Sequence, residues 1–502
     1  MRPPPNRQTP RCIGRRSALI TSLLGLIICL AVPVIGAAAP ALVVASGPSP
    51  YADCAAGSTV MSATNIETEP RLAIDPTSAG QHMVGVWIQD SQLGDVAASS
   101  NDGGATWHET PLPFSRCAPR GLQYDRAVDP WISIGPDGRA YATGQAISIG
   151  PAGETTAAVA ASTSTDDGAT WTDPRAVRAT STGSGLQENI DKPMVLADPS
   201  TPGTAYIVWQ QAPLDGSVPP ASWLARTTNG GKTWSRARKI VPSVKGSGAY
   251  WNALVAAPHS RMLYNVFNLV RPQMTYHTVC KKRSGKTKRC RKIGTPVPGK
   301  FDGFIAVVKS ADHGITWSKP AIVADDLSLG IDAAPGGPIT TGSGIDAAID
   351  PRSGRVYVVW TDARFSQLRY DQVVISSSGD GGKHWTSPHP VSTVATSFNP
   401  VVAVNSVGRV GVTYYDLREA EGSAATIPTD VWFTSSMDGG KTFTGDTLLG
   451  QFNMKTAPFL AGYFTGDYVG LACAGVTFRP YFVMTTGNPD NPTDVYTGSI
   501  GS

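Results

Sequence analysis

Ser100-Asn101-Asp102-Gly103-Gly104-Ala105-Thr106-Trp107 is the first of six copies of one eight-residue motif. The other five copies begin at Ser164, Thr227, Ser310, Ser378 and Ser436. Each copy follows an apolar run with the composition of a β-strand, and an aromatic residue ends it. A short Asp carboxylate can accept backbone N–H groups within a tight turn, and Gly readily adopts positive φ there. The motif therefore predicts six aromatic-ended turns between strands, which are called the repeat turns below.

A second repeat lies upstream of the repeat turns, where a polar and commonly acidic residue opens a short apolar strand. The seven openers are Glu69, Asp129, Asp191, Asn252, Asp346, Asn399 and Asp467. Successive openers are 60, 62, 61, 94, 53 and 68 residues apart, and the longest gap contains a basic insertion at 271–300. A unit of this length with several strands is typical of a β-propeller blade.

We therefore predict an all-β chain that forms a single seven-bladed propeller over residues 65–502. A strand from the N-terminal segment 46–64, placed in the stretch 51–65, is expected to close the last blade, because an unclosed ring would leave a free sheet edge. A six-bladed ring with a terminal hairpin is the alternative. The 53 Gly and 40 Pro in 502 residues argue against a helical bundle, since both residues break helices.

The N-terminal residues 1–45 have the pattern of a targeting segment. Arg15 and Arg16 precede an apolar run from Ala18 to Val32, and small residues follow it. This pattern predicts a secretory signal peptide, with an uncleaved membrane anchor as the alternative. Either reading places the rest of the chain outside the cytoplasm, secreted or anchored at the cell surface.

Charge is distributed unevenly along the chain. Residues 1–45 contain five basic and no acidic residues, and residues 271–300 contain ten basic and no acidic residues. The remaining chain has 27 basic and 38 acidic residues. A basic insertion on an acidic body could steer an anionic ligand or could simply be solvated. The acidic body argues against nucleic acid as a partner.

Cysteine use is compatible with an oxidising compartment. The basic insertion is predicted to be a loop, and the ten-residue spacing of Cys280 and Cys290 within it favours a local disulfide. Cys54, Cys117 and Cys473 leave one odd thiol, and their pairing stays open. The absence of C-x-x-C and the scatter of the seven His indicate no zinc site, so no metal ligand is assigned. No cofactor is expected to be required, although a channel crowded with acids could hold structural Ca²⁺.

The repeat turns resemble the Asp-box, or bacterial neuraminidase repeat, of the sialidase superfamily over roughly residues 65–500. The order of Glu69-Pro70, Asp129-Pro130, Asp191-Lys192-Pro193 and Gly466-Asp467-Tyr468 is similar to that of secreted bacterial proteins described as exo-α-sialidase or glycosyl hydrolase. The resemblance implies turns remote from the active site, three Arg that bind a carboxylate, a Tyr nucleophile assisted by Glu, and an Asp acid/base. The family's first-blade Arg-Ile-Pro is absent here, and Glu69-Pro70-Arg71 is its nearest analogue.

Blade topology predicts which residues share one mouth of the channel. The first strand of a blade starts at one rim and the second strand returns to it, so openers and second-strand ends converge there. Anion binding is assigned to Arg126, Arg364 and Arg418. The catalytic candidates are Tyr415 or Tyr468 as nucleophile, Glu69 or Asp467 as base, and Asp129 as proton donor. Further substrate-binding candidates are Asp191, Lys192, Asp362 and Asp416.

Each assignment has a structural alternative. Asp129 and Asp191 could cap turns, Arg364 and Arg418 could pair with Asp362 and Asp416, and Tyr415 could pack in the core. The resulting hypothesis is a secreted sialidase-like glycoside hydrolase acting on glycans or glycoconjugates. The alternative function is a non-catalytic carbohydrate- or protein-binding propeller at the cell surface, with membrane contact only through an uncleaved anchor.

Overall fold

A computed structural model describes most of the chain from residue 40 onwards. The described ranges are 40–55, 64–150, 154–180, 188–243, 246–281, 289–331, 337–342, 344–420 and 425–501. The apolar run of the predicted leader lies outside them. No helix within these ranges is both long enough and apolar enough to cross a bilayer.

Seven four-stranded antiparallel sheets are arranged as the blades of a propeller. The strands of blade 1 are β2 (Glu67–Ile74), β3 (Met83–Gln89), β4 (Gly94–Ser100) and β5 (His108–Pro111). Those of blade 2 are β6 (Arg126–Ile134), β7 (Ala140–Ile149), β8 (Thr155–Ser164) and β9 (Arg175–Ala179). Those of blade 3 are β10 (Glu188–Ala197), β11 (Ala205–Pro213), β12 (Ala221–Thr227) and β13 (Arg238–Val241).

The next three blades repeat this order. The strands of blade 4 are β14 (Gly248–Ala256), β15 (Leu263–Lys281), β16 (Arg289–Ser310) and β17 (Ala321–Asp325). Those of blade 5 are β18 (Asp346–Ile349), β19 (Val356–Asp362), β20 (Gln372–Ser378) and β21 (His389–Pro390). Those of blade 6 are β22 (Ser397–Val404), β23 (Val410–Asp416), β24 (Pro428–Ser436) and β25 (Thr444–Asn453).

Blade 7 joins the two ends of the described chain. It contains β26 (Gly470–Ala474), β27 (Thr477–Asn488), β28 (Asn491–Thr497) and, outermost, β1 (Val43–Val44), which pairs with β28. The closing strand therefore precedes the predicted segment 46–64, whose described part instead contains a short α-helix (Ala52–Ala55). Short 3₁₀ helices occupy Asp90–Gln92, Arg364–Ser366 and Met454–Thr456. The first strands contact one another in cyclic order, and β2 contacts β26, so the seven-bladed prediction is confirmed.

The second strands lie between neighbouring blades, and this position explains their composition. All seven residues of β3, and all seven of β19, are buried. A strand covered on both faces has no reason to alternate polar and apolar residues. Trp87, Trp209 and Trp360 occupy the same place on three second strands, and each indole N–H donates to the side chain two residues further on.

The six repeat turns lie between the third and fourth strands of blades 1 to 6, on the rim opposite the openers. In the first turn, Asp102 Oδ1 accepts the Ala105 and Thr106 backbone N–H groups, and Oδ2 accepts the Thr106 hydroxyl. These hydrogen bonds lower the pKa of Asp102 to about 2. Blade 7 takes its fourth strand from the N-terminus, which explains why seven openers accompany only six turns.

The basic insertion is a regular two-stranded ribbon rather than a loop. It extends β15 and β16 beyond the blade, on the same rim as the openers. The predicted Cys280–Cys290 disulfide is present in the ribbon, with Cα atoms 3.9 Å apart. A second disulfide joins Cys54 to Cys117, and Cys473 has no disulfide partner among the described residues.

Candidate active site

A bulge near the start of the first strand directs one side chain per blade towards the channel. Five of the seven first strands carry such a bulge, in blades 1, 2, 3, 4 and 6. The bulged residues have φ near +50°: Glu69, Asp129, Lys192, Trp251 and Asn399. Positive φ is uncommon for residues with a side chain, and such strain persists only where the surrounding structure holds it. The bulges turn these five side chains towards the channel mouth, where they form a ring.

The Lys192 ammonium lies at the centre of this ring. Its Nζ is 2.9 Å from Glu69 Oε1 and 2.6 Å from Asp129 Oδ1. It also lies 2.6 Å from Asp467 Oδ2, which belongs to the segment that enters blade 7. Blades 1, 2, 3 and 7 therefore meet at one ammonium and three carboxyl groups, which are called the central cluster below.

The central cluster separates the pKa values of its two most buried acids. Burial raises the pKa of Glu69 well above its usual range, and the charges of Asp129 and Asp467 add to this despite the opposing effect of Lys192. Burial also raises the pKa of Asp129, but the Lys192 ammonium and the hydrogen bond with Glu69 offset this and leave the pKa lowered. Glu69 is thus the proton-bearing acid of the pair, and Asp129 is the carboxylate.

The carboxylates hold Lys192 in its charged form. Burial alone lowers the pKa of Lys192, but Asp129, Asp467, Glu69 and Asp191 together raise it well above its usual value. The ammonium already satisfies the carboxylates that a Ca²⁺ ion would need, so no Ca²⁺ is proposed in the channel.

A second charged pair lies beside the central cluster. The Arg71 guanidinium is 3.1 Å from Asp346 Oδ1, and it also donates to the Val469 carbonyl. It stacks 3.5 Å from the centre of the Trp131 ring. Together with Asp346 it links blades 1 and 5 across the channel.

The cavity beside Lys192 is small and partly aromatic. Its volume is about 10 Å³, and its lining consists of Asp129, Trp131, Lys192, Pro193, Met194, Trp251, Asn252 and Tyr468. Apart from the Glu69 carboxyl group, whose hydrogen bond with Asp129 is described above, three buried atoms on the first strands have no hydrogen-bond partner among the described residues: Arg71 Nε, Asn252 Nδ2 and Asn399 Oδ1. Buried polar atoms normally find partners, so these atoms favour a polar ligand or water in the channel.

The three predicted anion-binding Arg residues do not share a ligand site. Arg364 forms an ion pair with Asp362, and Arg418 forms one with Asp416, each within its own blade. Arg126 instead lines a pocket of about 100 Å³ beside Phe459 and Phe464, where it donates to Gln92 Oε1 at 3.3 Å.

The two predicted Tyr nucleophiles are both engaged in neutral hydrogen bonds. Tyr415 is fully buried between blades 6 and 7, and its hydroxyl donates to the Val483 carbonyl at 2.8 Å. The Tyr468 hydroxyl donates to the Pro130 carbonyl at 3.1 Å within the channel. Burial raises the pKa of Tyr468 well above its usual value, and Glu69 and Asp129 raise it further, so its phenolate is disfavoured.

Most of the remaining predicted residues lie in the central cluster, and Asp191 lies beside it. Glu69, Asp129, Lys192 and Asp467 come together as expected. Asp191 points to Gln210 Nε2 at 2.6 Å instead of to Lys192, and burial raises its pKa to about 7. The bulged residue of blade 3 is therefore Lys192 and not Asp191. The sequence marks it, because a Pro follows Lys192 as one follows Glu69 and Asp129.

Sequence reasoning missed Trp251 and the channel role of Arg71. Trp251 has no following Pro, and only its position before the opener Asn252 marks it as the bulged residue of blade 4. Its indole N–H donates to the Ile345 carbonyl. No local signal in the sequence could pair Arg71 with Asp346, since they are 275 residues apart.

No protein-family model matches this chain. No curated protein matches it either. Solved structures that resemble it include an α-L-arabinanase from Penicillium chrysogenum, at 11% identity, covering 88% of this chain and 98% of that chain, with a TM-score of 0.44. An α-L-arabinofuranosidase from Fusarium graminearum is 11% identical, covers 88% of this chain and 96% of the other, and has a TM-score of 0.47. The NanB sialidase of Streptococcus pneumoniae is 10% identical, with coverages of 87% and 68% and a TM-score of 0.41. Likenesses this weak assign no function to the chain.

Proposed function

We propose that this protein is a glycan-acting hydrolase whose acid/base pair is Glu69 and Asp129. The observation that supports the proposal is the central cluster, in which two carboxyl groups share one ammonium while their pKa values move in opposite directions. Glycoside hydrolysis needs one neutral carboxylic acid to protonate the leaving oxygen and one carboxylate to assist at the sugar carbon.

Each residue of the cluster has a separate role in this proposal. Glu69 donates its proton to the glycosidic oxygen as the bond to the sugar breaks, and water then adds to the sugar carbon and returns a proton to Glu69. Asp129, kept ionised by Lys192, stabilises the positive charge that develops on the sugar ring. Both oxygens contact the same nitrogen, so they are at most about 5.5 Å apart, which is less than the separation of about 6.5–9.5 Å in inverting glycosidases. Asp467 is the third carboxyl group that contacts Lys192, and it helps to keep the ammonium charged.

The aromatic lining supports a sugar ligand. Trp131, Trp251 and Tyr468 border the cavity that contains Lys192. Aromatic walls with a few convergent polar groups are typical of small-molecule sites. The buried atoms without partners, Asn252 Nδ2 and Asn399 Oδ1, offer a donor and an acceptor for sugar hydroxyl groups.

An exo-α-sialidase activity is the narrower form of the proposal. The resemblance of the repeat turns to the Asp-box supports it. The ion pairs of Arg364 and Arg418, and the neutral hydrogen bond of Tyr468, favour a neutral glycoside instead, since a sialic acid carboxylate would need free guanidinium groups. Sialosides are therefore one arm of the test and neutral glycosides are the other.

The second candidate function is non-catalytic binding of a glycan or a protein at the same mouth. It is favoured by the ion pairs of Lys192, which engage the acids that hydrolysis would need. Binding without turnover would retain a glycan on the protein and release no product.

The test is hydrolysis of a panel of fluorogenic neutral pyranosides, furanosides and sialosides by the wild type, Glu69→Gln and Asp129→Asn. Each variant is expected to lose about 100-fold or more in kcat/KM. Glu67→Gln is the matched control, because Glu67 is a buried Glu on the same strand, two residues away, and does not contact Lys192. Turnover of no substrate, or equal turnover by wild type and Glu69→Gln, would reject the hydrolase.

We also propose that the protein acts outside the cytoplasm. The two disulfides support this, because such bonds persist in oxidising compartments. Detection of the protein only in the cytoplasm, with all thiols reduced, would contradict the proposal.

A further inference from the structure

The fourth position of the repeat turn is occupied by unusual residues in two blades. Four of the six copies have Gly there, whereas blade 2 has Asp167 and blade 4 has His313. Both residues keep the left-handed conformation, with φ of 58° and 56°. Gly adopts this conformation without strain and a side chain does not. The two side chains make contacts that Gly could not make.

Asp167 reaches from blade 2 to two residues of blade 1. Its Oδ1 is 3.1 Å from His82 Nδ1, and Asp75 Oδ2 is 3.9 Å from the same nitrogen. The three possible ligand atoms all lie within 4.8 Å of one another. Asp75 follows the first strand of blade 1, and His82 precedes the second, so the blade-1 residues flank one turn.

The Asp75 carboxylate is buried but only half satisfied. Its side chain is 6% exposed. Oδ1 accepts the backbone N–H and the hydroxyl of Thr77. Oδ2 accepts no hydrogen bond from any described residue, and His82 Nδ1 at 3.9 Å is too distant to donate one. This oxygen lies close to an imidazole and a second carboxylate, and a cation bound among the three groups would give it the partner that the described residues do not.

We propose that Asp75, His82 and Asp167 bind a divalent transition-metal ion, with Zn²⁺ as the preferred ion, and that this ion joins blade 1 to blade 2. One imidazole nitrogen and two carboxylate oxygens form a ligand set that Zn²⁺ accepts, with water in a fourth position. Ca²⁺ and Mg²⁺ prefer all-oxygen sites, so His82 disfavours them. The site lies on the rim opposite the central cluster, so it is independent of the proposed hydrolase.

Blade 4 provides an internal comparison for this site. His313 Nδ1 lies 3.1 Å from Asp198 Oδ2, in the place that corresponds to Asp167 and Asp75. That oxygen already accepts the Tyr206 hydroxyl at 2.8 Å. No third His, Cys, Asp or Glu joins this pair in the described part of the chain. The His313 position is therefore a contact between blades and not a metal site.

The experiment measures Zn²⁺ binding to the untagged, chelator-treated full chain by equilibrium dialysis and by the shift of the thermal unfolding midpoint. The wild type is expected to bind one Zn²⁺ per chain with micromolar or tighter affinity, and the ion should raise the midpoint. Asp167→Gly removes one ligand and installs the residue that four other turns already have, so it should fold normally without metal. Its Zn²⁺ affinity should fall about 100-fold.

Two further measurements separate the site from general effects. His313→Gly makes the same kind of change in blade 4 and should keep the wild-type affinity for Zn²⁺. Ca²⁺ at the same concentration should not compete with Zn²⁺. The proposal is overturned if the wild type binds no Zn²⁺ at 100-fold excess over the protein, or if Asp167→Gly binds it as tightly as the wild type.

Discussion

Lys192 is the residue on which the charge balance of the channel depends. It is 15% exposed and contacts three carboxyl groups from three other segments of the chain. Burying an ammonium and several carboxylates is costly unless the charges are paired. Removing Lys192 should therefore destabilise the fold mainly through the buried carboxylates that it leaves unpaired.

Lys192→Met is expected to lower the free energy of unfolding by about 3–5 kcal/mol at pH 7, because it leaves buried carboxylates without a cation. The loss should be smaller at pH 5, where more of these carboxyl groups are protonated. Urea denaturation at both pH values measures it.

Lys309→Met is the control for the loss of a lysine. The Lys309 ammonium donates to the Gly381 and Gly382 carbonyl oxygens and has no carboxylate among its recorded partners. Its replacement should cost much less and should show no pH dependence. Equal losses for the two variants would show that Lys192 does not act through the carboxylates.

The sequence was sufficient to predict which residues the blade topology brings together at the channel mouth. Glu69, Asp129, Lys192 and Asp467 lie at or beside strand openers, and blade geometry converges them. It also offered the pairing of Arg364 with Asp362, and of Arg418 with Asp416, as the alternative to anion binding, because a guanidinium two residues after an Asp can satisfy that Asp locally before any ligand arrives. Tyr415 follows the strand repeat of the buried tryptophans, and burial between two blades explains its placement.

At the scale of the element, the acidic side chain of the repeat turn accepts hydrogen bonds from the residues that follow it. Asp312 Oδ1 accepts the Thr316 N–H at 2.8 Å, and Oδ2 accepts its hydroxyl at 2.6 Å. The blade-3 copy has Asn229, whose Oδ1 accepts the Thr233 N–H and whose Nδ2 donates to the Thr233 hydroxyl. The chain thus contains its own example of a tolerated amide.

Asp312→Asn should therefore preserve the turn, whereas Asp312→Ala should open it. Hydrogen exchange at the Thr316 amide is expected to accelerate about tenfold in the Ala variant and to change little in the Asn variant. Equal exchange in the two variants would contradict the role assigned to the side-chain oxygens.

Strand β2 also carries a pH-sensitive contact with blade 7. Glu67 accepts hydrogen bonds from Gln89 and from Thr493 of β28. Burial raises the pKa of Glu67 to about 8, and Asp494 and Asp90 raise it against the effect of these hydrogen bonds. The folded chain keeps this proton at a pH where the unfolded chain has lost it, so the stability it contributes is present below about pH 4.5 and is lost as the pH rises through 8.

Glu67→Gln should flatten the fall of the unfolding free energy between pH 5 and 8, which for one such group reaches about 1.4 kcal/mol per pH unit. Denaturant titrations across this range measure the slope. Asp173→Asn, on a side chain that is 71% exposed, should leave the slope unchanged. An unaltered slope in Glu67→Gln would show that Glu67 is ionised in the folded state.

The elements themselves were largely predictable, and their distortions were not. Repeat spacing located every blade, because an opener recurs in all seven blades and the same turn chemistry recurs in six of them. In the sequence, the bulges at Glu69, Asp129 and Lys192 are marked only by the Pro that follows each of these residues. The insertion at 271–300 was predicted to be a loop, because its many charged residues give no strand pattern. In the structure, its two strands pair with each other and the Cys280–Cys290 disulfide joins them.

For the whole molecule, closure of the ring depends on two residues of β1. Val43 pairs with Thr497 and Val44 with Tyr496, and the Ala45 N–H donates to the Val495 carbonyl at 2.8 Å. The closing strand was predicted a few residues too late, because two valines next to an apolar leader carry no distinct strand pattern. The prediction could not anticipate that 46–55 holds a helix tied to Cys117.

A chain that begins at Ser46 should unfold at a temperature several degrees below that of a chain that begins at Pro40, because β28 then becomes an open edge. Thermal unfolding followed by circular dichroism compares the two chains. Identical midpoints would mean that β1 contributes nothing to closure.

The pH dependence of kcat/KM for glycoside hydrolysis tests the central claim most directly. The raised pKa of Glu69 and the lowered pKa of Asp129 predict a bell-shaped profile, with activity lost at high pH as Glu69 gives up its proton and at low pH as Asp129 gains one. The little activity left in Glu69→Gln should show no loss at high pH. A high-pH limb that persists in Glu69→Gln, or a wild type that hydrolyses no glycoside at any pH, would contradict the account.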